Sequence, residues 1–397
     1  MSSTGGATPA PAPARPPEGA AGRERGLFAV VTGGGTGGHV QPALAIGEAL
    51  VAVGHEPASI RFVGGRRGME GRLVPENGFA ITCLPGRGIE RRLSARNVRS
   101  ALELAAAVAM AVKLLRRLRP RVVVTVGGYA GFPASLAAVL LGVPLVVVTY
   151  DAVPGAANRL VARAAAANAV AYPGTSLRRA VVTGPPVRAG VLAVDRSPSG
   201  RAAARAELGV DQSRRLVVVS GGSLGARSLN EATVALAGAW SDRADVCLYH
   251  VAGDRDHEMV AAASRRAGVG DGSLEYRLVG FERRMPVLLA ACDLFVGRAG
   301  ASTVAELCAV GVPSVLVPLP NAPSDHQRRN AETLAAAGAA VVLEDAALSG
   351  PALGELVGGL LEEPGRVAAM EGAARSLGHR DAAARVAELA ESVARPA

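Results

Sequence analysis

Residues 27–46 read LFAVVTGGGTGGHVQPALAI, an apolar run followed by a glycine-dense loop and then a helical pattern. Val30 and Val31 end the run as a buried strand would, and apolar residues return at helical spacing from Ala43 to Leu50. Glycine at positions 33–35 and 37–38 lets a ligand approach the backbone, because no Cβ stands in the way. A helix that begins after such a loop leaves its first amides free to bind phosphate. The stretch therefore predicts a strand, a phosphate-binding loop and a helix.

The same loop raises an alternative, because Gly33, Gly35 and Gly38 satisfy the G-x-G-x-x-G pattern of dinucleotide-binding proteins. In those proteins an acidic residue about 20 positions further on binds the ribose at the end of the second strand. Here the second strand is expected at 59–63 and is followed by Gly-Gly-Arg-Arg, so that the first acid, Glu70, lies beyond it. The missing acid disfavours a dinucleotide site. His39 beside the loop favours chemistry over binding alone.

Composition narrows the class of protein. The chain has 397 residues, enough for two domains with separate cores. Hydrophobic residues make up 49% of it but aromatic residues only 3%, so few side chains are suited to stacking on bases. The net charge is +9, and Lys113 is the only lysine. We therefore expect an anionic partner, either phosphate or a lipid headgroup, and no nucleic acid.

No metal or cofactor is expected from the sequence. The four cysteines are far apart without a C-x-x-C pair, and the six histidines show no ligand spacing. Buried thiols of this kind are typical of a reducing compartment. Asp254 and Asp256 form a D-x-D string, which in some enzymes holds a divalent metal under a diphosphate. Because His257 and Glu258 follow in a polar run, we interpret this string as a solvated surface loop.

Two parts of the chain repeat one pattern. Residues 122–150 carry no charge, and glycine and proline divide them into a strand, a short helix and a second strand. Residues 293–319 follow the same order, and 216–224 repeat the opening strand and glycine loop. Alternating strands and helices with short loops predict parallel sheets. The expected fold is therefore α/β, with two doubly wound Rossmann-like domains facing each other across a cleft.

The expected domain boundaries follow from the same pattern. Residues 1–25, rich in alanine, proline and glycine, are expected to be a disordered tail. The first domain is placed at 26–188 and the second at 189–378. Residues 379–397 are expected to form a final helix that returns to the first domain.

Six motifs then follow one another in an order that is specific to one family. They are 32–42 (TGGGTGGHVQP), 126–133 (VGGYAGFP), 184–188 (GPPVR), 219–230 (VSGGSLGARSLN), 298–306 (RAGASTVAE) and 325–331 (DHQRRNA). Over roughly residues 27–390 the chain resembles the MurG family, the glycosyltransferases that convert lipid I to lipid II in cell-wall peptidoglycan synthesis. The resemblance implies a GT-B fold, UDP-N-acetylglucosamine as donor, undecaprenyl-linked lipid I as acceptor, and transfer with inversion. It also implies a peripheral position at the cytoplasmic face of the cell membrane.

The resemblance also implies a set of binding residues. Thr36, Gly37 and Gly38 would reach the donor phosphates or the acceptor, and Arg188 and Ser223 the nucleotide. Glu306 would take the ribose hydroxyls and Gln327 the N-acetylglucosamine, while the backbone of Phe281 and Glu282 reads uracil. The expected substrate-binding set is Thr36, Gly37, Gly38, Tyr129, Arg188, Ser223, Glu282, Ala301, Ser302, Thr303, Glu306, Gln327 and Asn330. Helix capping is the alternative for Ser223 and Thr303, and a solvated helix face for Glu306.

The catalytic residues are expected to be His39 and Asp151. His39 has an ordinary pKa near 6.5, which suits a base that takes the proton from the attacking 4-hydroxyl. The alternative is a histidine that only hydrogen-bonds a substrate oxygen or the backbone. Asp151 stands where the family usually has the asparagine of an H-E-x-N stretch. Three roles are open to it: accepting sugar hydroxyls, sharing the base role with His39, or altering substrate preference.

An anionic membrane surface is the third expected partner. Residues 84–99 combine apolar side chains with five arginines, and Arg116, Arg117, Arg119 and Arg121 add a second basic cluster. A solvated loop and helix face is the alternative. For the whole chain, the alternatives are another UDP-sugar GT-B enzyme acting on a different lipid or natural product, a dehydrogenase, and a non-catalytic UDP-sugar-binding protein.

Overall fold

The computed structural model describes residues 27–35, 37–66, 68–85, 95–151, 153–223, 225–322 and 325–396, without the side chains of 95–101. The tail expected at 1–25 lies outside them.

In the first half of this described part, the strands are β1 (Ala29–Gly33), β2 (Ile60–Gly65), β3 (Ala80–Leu84), β4 (Val122–Gly127), β5 (Leu145–Thr149), β6 (Ala167–Val170) and β7 (Ala180–Val182). They form one parallel sheet in the order β3-β2-β1-β4-β5-β6-β7. The helices between them are α1 (Gly37–Ala52), α2 (Glu70–Glu76), α3 (Ala95–Leu118), α4 (Phe132–Leu140) and α5 (Ala156–Ala162).

The second half repeats this arrangement. Its strands are β8 (Arg215–Ser220), β9 (Val246–Val251), β10 (Glu275–Val279), β11 (Leu294–Gly297), β12 (Ser314–Leu316) and β13 (Ala340–Val342). They form a parallel sheet in the order β10-β9-β8-β11-β12-β13. Its helices are α6 (Ala189–Leu192), α7 (Pro198–Leu208), α8 (Arg227–Ala239), α9 (His257–Arg266), α10 (Met285–Ala291), α11 (Ala301–Val310), α12 (His326–Ala336), α13 (Gly350–Glu362) and α14 (Pro364–Ser376).

The expected fold class is confirmed, and the strand order explains where ligands bind. In both sheets the chain runs outward over three strands and then returns to the opposite side of the first strand. The loops after β1, β4, β8 and β11 therefore diverge at the carboxyl edge, where open α/β sheets bind ligands. Strands buried on both faces need continuous apolar runs, and the valine-rich β4 and β8 supply them.

The charge-free stretch forms β4, α4 and β5, as expected, and lies inside the first domain. Among the described residues, no helix is both long and apolar enough to cross a membrane. Residues 195–213, near the start of the second domain, contain α7, and the two ends of this helix show why it forms there. Ser197 accepts a hydrogen bond from the Gly200 amide at its start, and Gly209 ends it with a φ of 67°.

The last helix, α15 (Ala382–Val393), packs on the first domain against α1. Val386, Ala387 and Ala390 are fully buried in the same core cluster as Leu44 of α1. His55 reinforces this contact, because its Nε2 lies 3.0 Å from the carboxylate of Glu391. The chain therefore crosses between the domains twice, once before α6 and once before α15.

Candidate active site

A cleft of about 1260 Å³ separates the carboxyl edges of the two sheets. Gly37, Gly38 and His39 line it from the first domain, and Ser223 lines it from the second. The glycine loops approach each other closely: a Cβ placed on Gly37 would lie 3.2 Å from the Ser223 side chain. The hydroxyl of Ser302, at the start of α11, donates to the carbonyl of Gly38 over 2.8 Å. Two loops predicted separately thus meet at one site.

Three helix ends face this cleft. α1 begins at Gly37, α8 at Arg227 and α11 at Ala301, and within the described part of the chain no side chain caps the amides of α8 or α11. Uncapped N-terminal amides are free to bind an anion. Arg298, just before α11, is instead bound internally, since it donates to the hydroxyl of Ser228 at 2.8 Å and to Asp345 at 2.6 Å.

His39 lies on the first turn of α1 in the cleft wall, half-buried. Its ring packs edge-on to Tyr150, with the ring centroids 6.0 Å apart. Burial lowers the pKa of His39 from its ordinary value, while the carboxylates of Asp151 and Glu70 act to raise it and His326 acts to lower it. The imidazole is therefore held neutral, the form in which it accepts a proton.

Asp151 and Tyr150 follow β5 and also line the cleft. The Tyr150 hydroxyl is buried and has no hydrogen-bond partner among the described residues. Burial, and next the Asp151 carboxylate, raise the pKa of Tyr150 well above its ordinary value. The first-domain wall thus carries the His39 imidazole at the start of α1, and a carboxylate and a phenol in the segment after β5.

Glu306 and Arg188 stand on the second-domain wall and at the domain junction, respectively. Burial raises the pKa of Glu306 to about 7, although the charge of Arg188 opposes that shift. Arg188 reaches into the first domain, where it donates to Glu48, to Gln41 at 3.3 Å and to Asn77 at 2.6 Å. Arg188 therefore ties the two domains together beside the expected nucleotide site. The solvated helix face considered for Glu306 is wrong, because this side chain is half-buried in the cleft wall.

The far end of the cleft holds the loop after β10 and the start of α12. The carboxylate of Glu282 is buried, and it accepts hydrogen bonds from the Tyr249 hydroxyl and from the Arg284 amide at 2.7 Å. That side chain is thus used to fix the loop, which leaves the loop backbone facing the cleft. Gln327 lines the cleft and accepts from the Leu319 amide at 3.0 Å, so its side-chain amide group still has donors to offer.

Two members of the predicted set do not line the cleft. Tyr129 is 38% exposed and packs on the first glycine loop, where a Cβ on Gly35 would lie 2.6 Å from its ring. Asn330 is fully buried, and its amide donates to the carbonyl of Ala299 at 3.1 Å, which fixes the turn before α11. Thr36 lies outside the described residues.

Sequence reasoning missed Glu70, which is only 1% exposed. Its carboxylate accepts hydrogen bonds from the Gly35 amide at 2.9 Å and from the Gly65 amide at 2.7 Å. It therefore joins the first glycine loop to the end of β2. The one available signal was the second glycine pair, Gly64 and Gly65. Glu70 occupies the space beside this pair, since a Cβ on Gly64 would lie 2.5 Å from the Glu70 side chain.

The interpretation of the D-x-D string was partly wrong. Asp254 and Arg255 are exposed, but Asp256 is 5% exposed and accepts hydrogen bonds from Arg255 at 2.7 Å and from Asn230 at 3.4 Å. A buried carboxylate needs such partners, which a surface run does not reveal. Within the described ranges, no group of three or more His, Cys, Asp or Glu side chains is arranged to hold a metal ion.

Comparison with known proteins agrees with this geometry. Residues 29–170 match the glycosyltransferase family 28 N-terminal domain, and residues 216–386 match the C-terminal domain of the same family. The chain belongs to the MurG family. A transferase from Mycobacterium bovis is 40% identical over 401 residues, covering 98% of this chain and 95% of that protein. One from Clavibacter michiganensis is 41% identical over 362 residues, covering 91% and 95%.

Both relatives are named as UDP-N-acetylglucosamine–N-acetylmuramyl-(pentapeptide) pyrophosphoryl-undecaprenol N-acetylglucosamine transferases. Among solved structures, the MurG of Acinetobacter baumannii superposes with a TM-score of 0.68 at 28% identity, covering 92% of this chain and 99% of that one. The family expectation, the GT-B fold and the assignment as a UDP-sugar hexosyltransferase are thereby confirmed. A GT-B enzyme for another lipid or a natural product is not favoured.

Proposed function

We propose that this MurG-family chain transfers N-acetylglucosamine from UDP-N-acetylglucosamine to the muramoyl 4-hydroxyl of lipid I, giving lipid II. One observation carries the proposal: the uncapped starts of α8 and α11 and the imidazole of His39 share one cleft. An anion-binding surface and a neutral base across a short gap are what displacement of a nucleoside diphosphate requires.

The leaving group is assigned to the second domain. As the bond from C1 to the UDP oxygen breaks, negative charge grows on the diphosphate. Ser223, in the loop after β8, and residues 301–303, at the start of α11, line the cleft, and we assign their hydroxyl and amides as donors to that charge. Arg188 and Glu306 lie beside them, where Arg188 would bind the nucleotide and Glu306 would accept the ribose hydroxyls. The backbone at 281–282 would read uracil, and Gln327 would donate to the sugar.

The base is assigned to the first domain. His39 takes the proton as the 4-hydroxyl oxygen attacks C1 from the face opposite the diphosphate, so the configuration inverts. The carboxylate of Asp151 lies close enough to raise the pKa of His39, opposing burial, the larger influence, which lowers it. That negative charge stabilises the imidazolium formed in the transition state. We assign Asp151 this supporting role, and Gly37 and Gly38 the acceptor side of the cleft.

His39→Ala tests the base assignment. Loss of a general base costs about 10²–10⁴-fold in kcat, while UDP-N-acetylglucosamine affinity stays near normal because the donor binds mainly to the second domain. UDP release in the presence of lipid I gives kcat, and calorimetry gives donor affinity. Near-normal turnover would remove His39 from this role.

Membrane contact is assigned to the outer face of α3 and α4. Leu102, Met110 and Leu140 are exposed there, with Leu102 at 68% and Leu140 at 64%, and Arg116 and Arg117 follow at the end of α3. Apolar side chains beside arginines suit an anionic leaflet. The patch predicted at 84–99 lies almost entirely outside the described side chains. We propose that this face holds the enzyme at the cytoplasmic surface of the membrane, where lipid I presents its headgroup.

Co-sedimentation with vesicles containing anionic lipid tests this face. Leu102→Ser combined with Arg116→Ser and Arg117→Ser should weaken binding about 30-fold, since each arginine near an anionic surface contributes about 1 kcal/mol. A matched triple change on α9 of the second domain, Met259→Ser with Arg265→Ser and Arg266→Ser, should leave binding unchanged. Equal binding of the wild-type and α3 variants would exclude this face.

A further inference from the structure

We propose that Glu70 is a positioning residue of the transfer reaction, which fixes the first glycine loop from within and sets the charge around His39. The inference rests on the proposed function of His39 as the base. On this inference the first glycine loop serves to position the base, and it does not bind the nucleotide.

The position of Glu70 is enforced by its hydrogen bonds and by the glycines around it. One carboxylate oxygen accepts from the Gly35 amide and the other from the Gly65 amide, over 2.9 and 2.7 Å. A Cβ on Gly34 would lie 2.4 Å from this carboxylate, and one on Gly68 would lie 1.9 Å from it. Any side chain at these positions would therefore displace Glu70.

The consequence for ligand binding is direct. The Gly35 amide belongs to the G-x-G-x-x-G loop, and such amides bind phosphate in dinucleotide proteins. Here the protein's own carboxylate already takes that amide. A phosphate brought to the same amide would also meet a buried carboxylate, which repels it. The first loop therefore disfavours a donor diphosphate at Gly35, and the diphosphate is left to the second loop.

The consequence for catalysis runs through His39, four residues beyond Gly35. The groups that face His39 from the elements packed around it are Glu70 of α2, Asp151 after β5 and His326 of α12, together with burial in the cleft wall. When the imidazole takes the hydroxyl proton, it becomes positive. The two carboxylates then stabilise it, while His326 opposes them. Glu70 therefore acts on the reaction without touching substrate.

Two variants separate this role from a purely structural one. Glu70→Gln keeps the shape but removes the acceptor charge. Gly68→Ala keeps the charge but pushes the carboxylate out of place, and the backbone at Gly68 has an ordinary φ that alanine can adopt. Gly365→Ala is the matched control, because a Cβ there meets no atom of the described residues within 4 Å. If Glu70→Gln does not fold, Gly68→Ala carries the test.

The readouts are the titration of His39 and the kinetics of transfer. The ring signals of the six histidines are followed in labelled protein, and a His39→Gln spectrum assigns the one that matters. We expect a lower titration midpoint for His39 in Glu70→Gln than in the wild type. We expect a loss of about 10²-fold in kcat, with a KM for UDP-N-acetylglucosamine within about twofold of the wild-type value. Gly68→Ala should lower kcat likewise, and Gly365→Ala should not.

A wild-type kcat in Glu70→Gln and Gly68→Ala would overturn the inference. So would a loss of kcat with an unchanged His39 midpoint, because a structural role alone would give that result. Wild-type protein that makes no lipid II would contradict the proposed function instead. In that case the His39 midpoint, which needs no acceptor, would still decide whether Glu70 sets the charge around it.

Discussion

At the scale of single residues, Glu306 shows how burial alters a binding group. The pKa of a glutamate on a solvated helix face stays near 4.3, but burial raises that of Glu306 to about 7. Below that pH the side chain is protonated, and it has one acceptor oxygen fewer for the ribose hydroxyls. The binding contribution of Glu306 is therefore present above pH 7 and is lost as the pH falls through 7.

This predicts a pH-dependent donor affinity. In the wild type, the KM for UDP-N-acetylglucosamine should fall as the pH rises from 6 to 8. Glu306→Gln should have a KM raised by about 10-fold, the cost of roughly 1.4 kcal/mol for a charged hydrogen bond, with no such pH dependence. Steady-state kinetics across this range gives both values. A variant that keeps the wild-type slope would show that another group titrates.

The candidate site could be predicted residue by residue only where its members follow glycine loops. His39, Ser223 and Thr303 stand next to such loops, and the structure brings all three to the cleft. Glu70 was beyond prediction, because its function depends on amides 35 and 5 residues away that only the folded chain brings together. The prediction that Asn330 binds substrate was wrong for a different reason. Its motif contributes other residues to the cleft, but the Asn330 side chain is buried and binds the carbonyl of Ala299 instead.

At the scale of elements, strand β9 contains a histidine, His250, whose ring is enclosed by its neighbours. His250 is fully buried, with its ring nitrogens 2.8 Å from the Tyr276 hydroxyl and 3.0 Å from Asn230. Burial lowers its pKa to about 4. Asn230 in turn donates to the carbonyl of Ala252 at 3.0 Å, so the chain of bonds supports the loop after β9.

The buried His250 predicts a stability that depends on pH. Between about pH 6.5 and 4 the unfolded chain binds a proton at this site and the folded chain does not, so the free energy of unfolding falls as the pH falls through this window. The shift corresponds to about 3 kcal/mol at most. Urea unfolding at several pH values should show this contribution in the wild type and not in His250→Gln.

Leu248→Ala on the same strand is the control for general destabilisation. Leu248 is fully buried, so its truncation costs about 2–5 kcal/mol at every pH and keeps the wild-type slope. A His250→Gln variant whose slope equals that of Leu248→Ala would contradict the assignment.

The elements themselves were largely predictable, because parallel strands buried on both faces need unbroken valine runs. The expected strand at 59–63 is β2 at Ile60–Gly65, longer at its carboxyl end because Gly64 and Gly65 pair with β3. Glycine carries no β signal, and so this extension was not visible in the sequence.

At the scale of the molecule, the two domains also contact each other between α2 and the loop after β10. The guanidinium of Arg72 on α2 lies 5.8 Å from the centre of the Phe281 ring, and Arg283 lies 3.5 Å from the carboxylate of Glu76. Phe281 and Arg283 belong to the loop proposed to read uracil. Donor binding and domain closure are therefore expected to be coupled.

Arg72→Ala should raise the KM for UDP-N-acetylglucosamine about two- to fivefold, since a cation–π contact at an exposed site contributes about 0.5–1 kcal/mol. Glu76→Gln removes an exposed ion pair, whose contribution is close to zero, and should change the KM little. Initial-rate kinetics distinguishes the two variants. Equal KM values for Arg72→Ala and the wild type would show that the contact between Arg72 and Phe281 does not couple donor binding to domain closure.

The packing of α15 on the first domain makes a prediction for the other end of the molecule. Val386→Asp places an unpaired charge in that core and should cost several kcal/mol, while Glu388→Ala, on the exposed face of α15, should stay within about 0.5 kcal/mol. Trp240, the single tryptophan, lies on the second domain. Circular dichroism of Val386→Asp should therefore change at lower urea than Trp240 fluorescence. If the circular dichroism and fluorescence midpoints of Val386→Asp both stayed at the wild-type urea concentration, the packing of α15 on the first domain would be contradicted.

The two domains could be predicted from the repeated strand–loop–helix units, because each set of units buries its apolar residues in a sheet of its own. Their facing arrangement depends on contacts of single atoms, such as Ser302 with the Gly38 carbonyl, and no pattern in the sequence encodes these.

The central claim is that His39 and the two anion-binding helix starts perform one transfer to lipid I. Mass spectrometry of lipid I incubated with UDP-N-acetylglucosamine and the purified chain tests it most directly. The predicted result is a product heavier by one N-acetylglucosamine residue, formed by the wild type and almost absent with His39→Ala. Lipid I recovered unchanged after incubation with folded wild-type protein that binds UDP would contradict the claim.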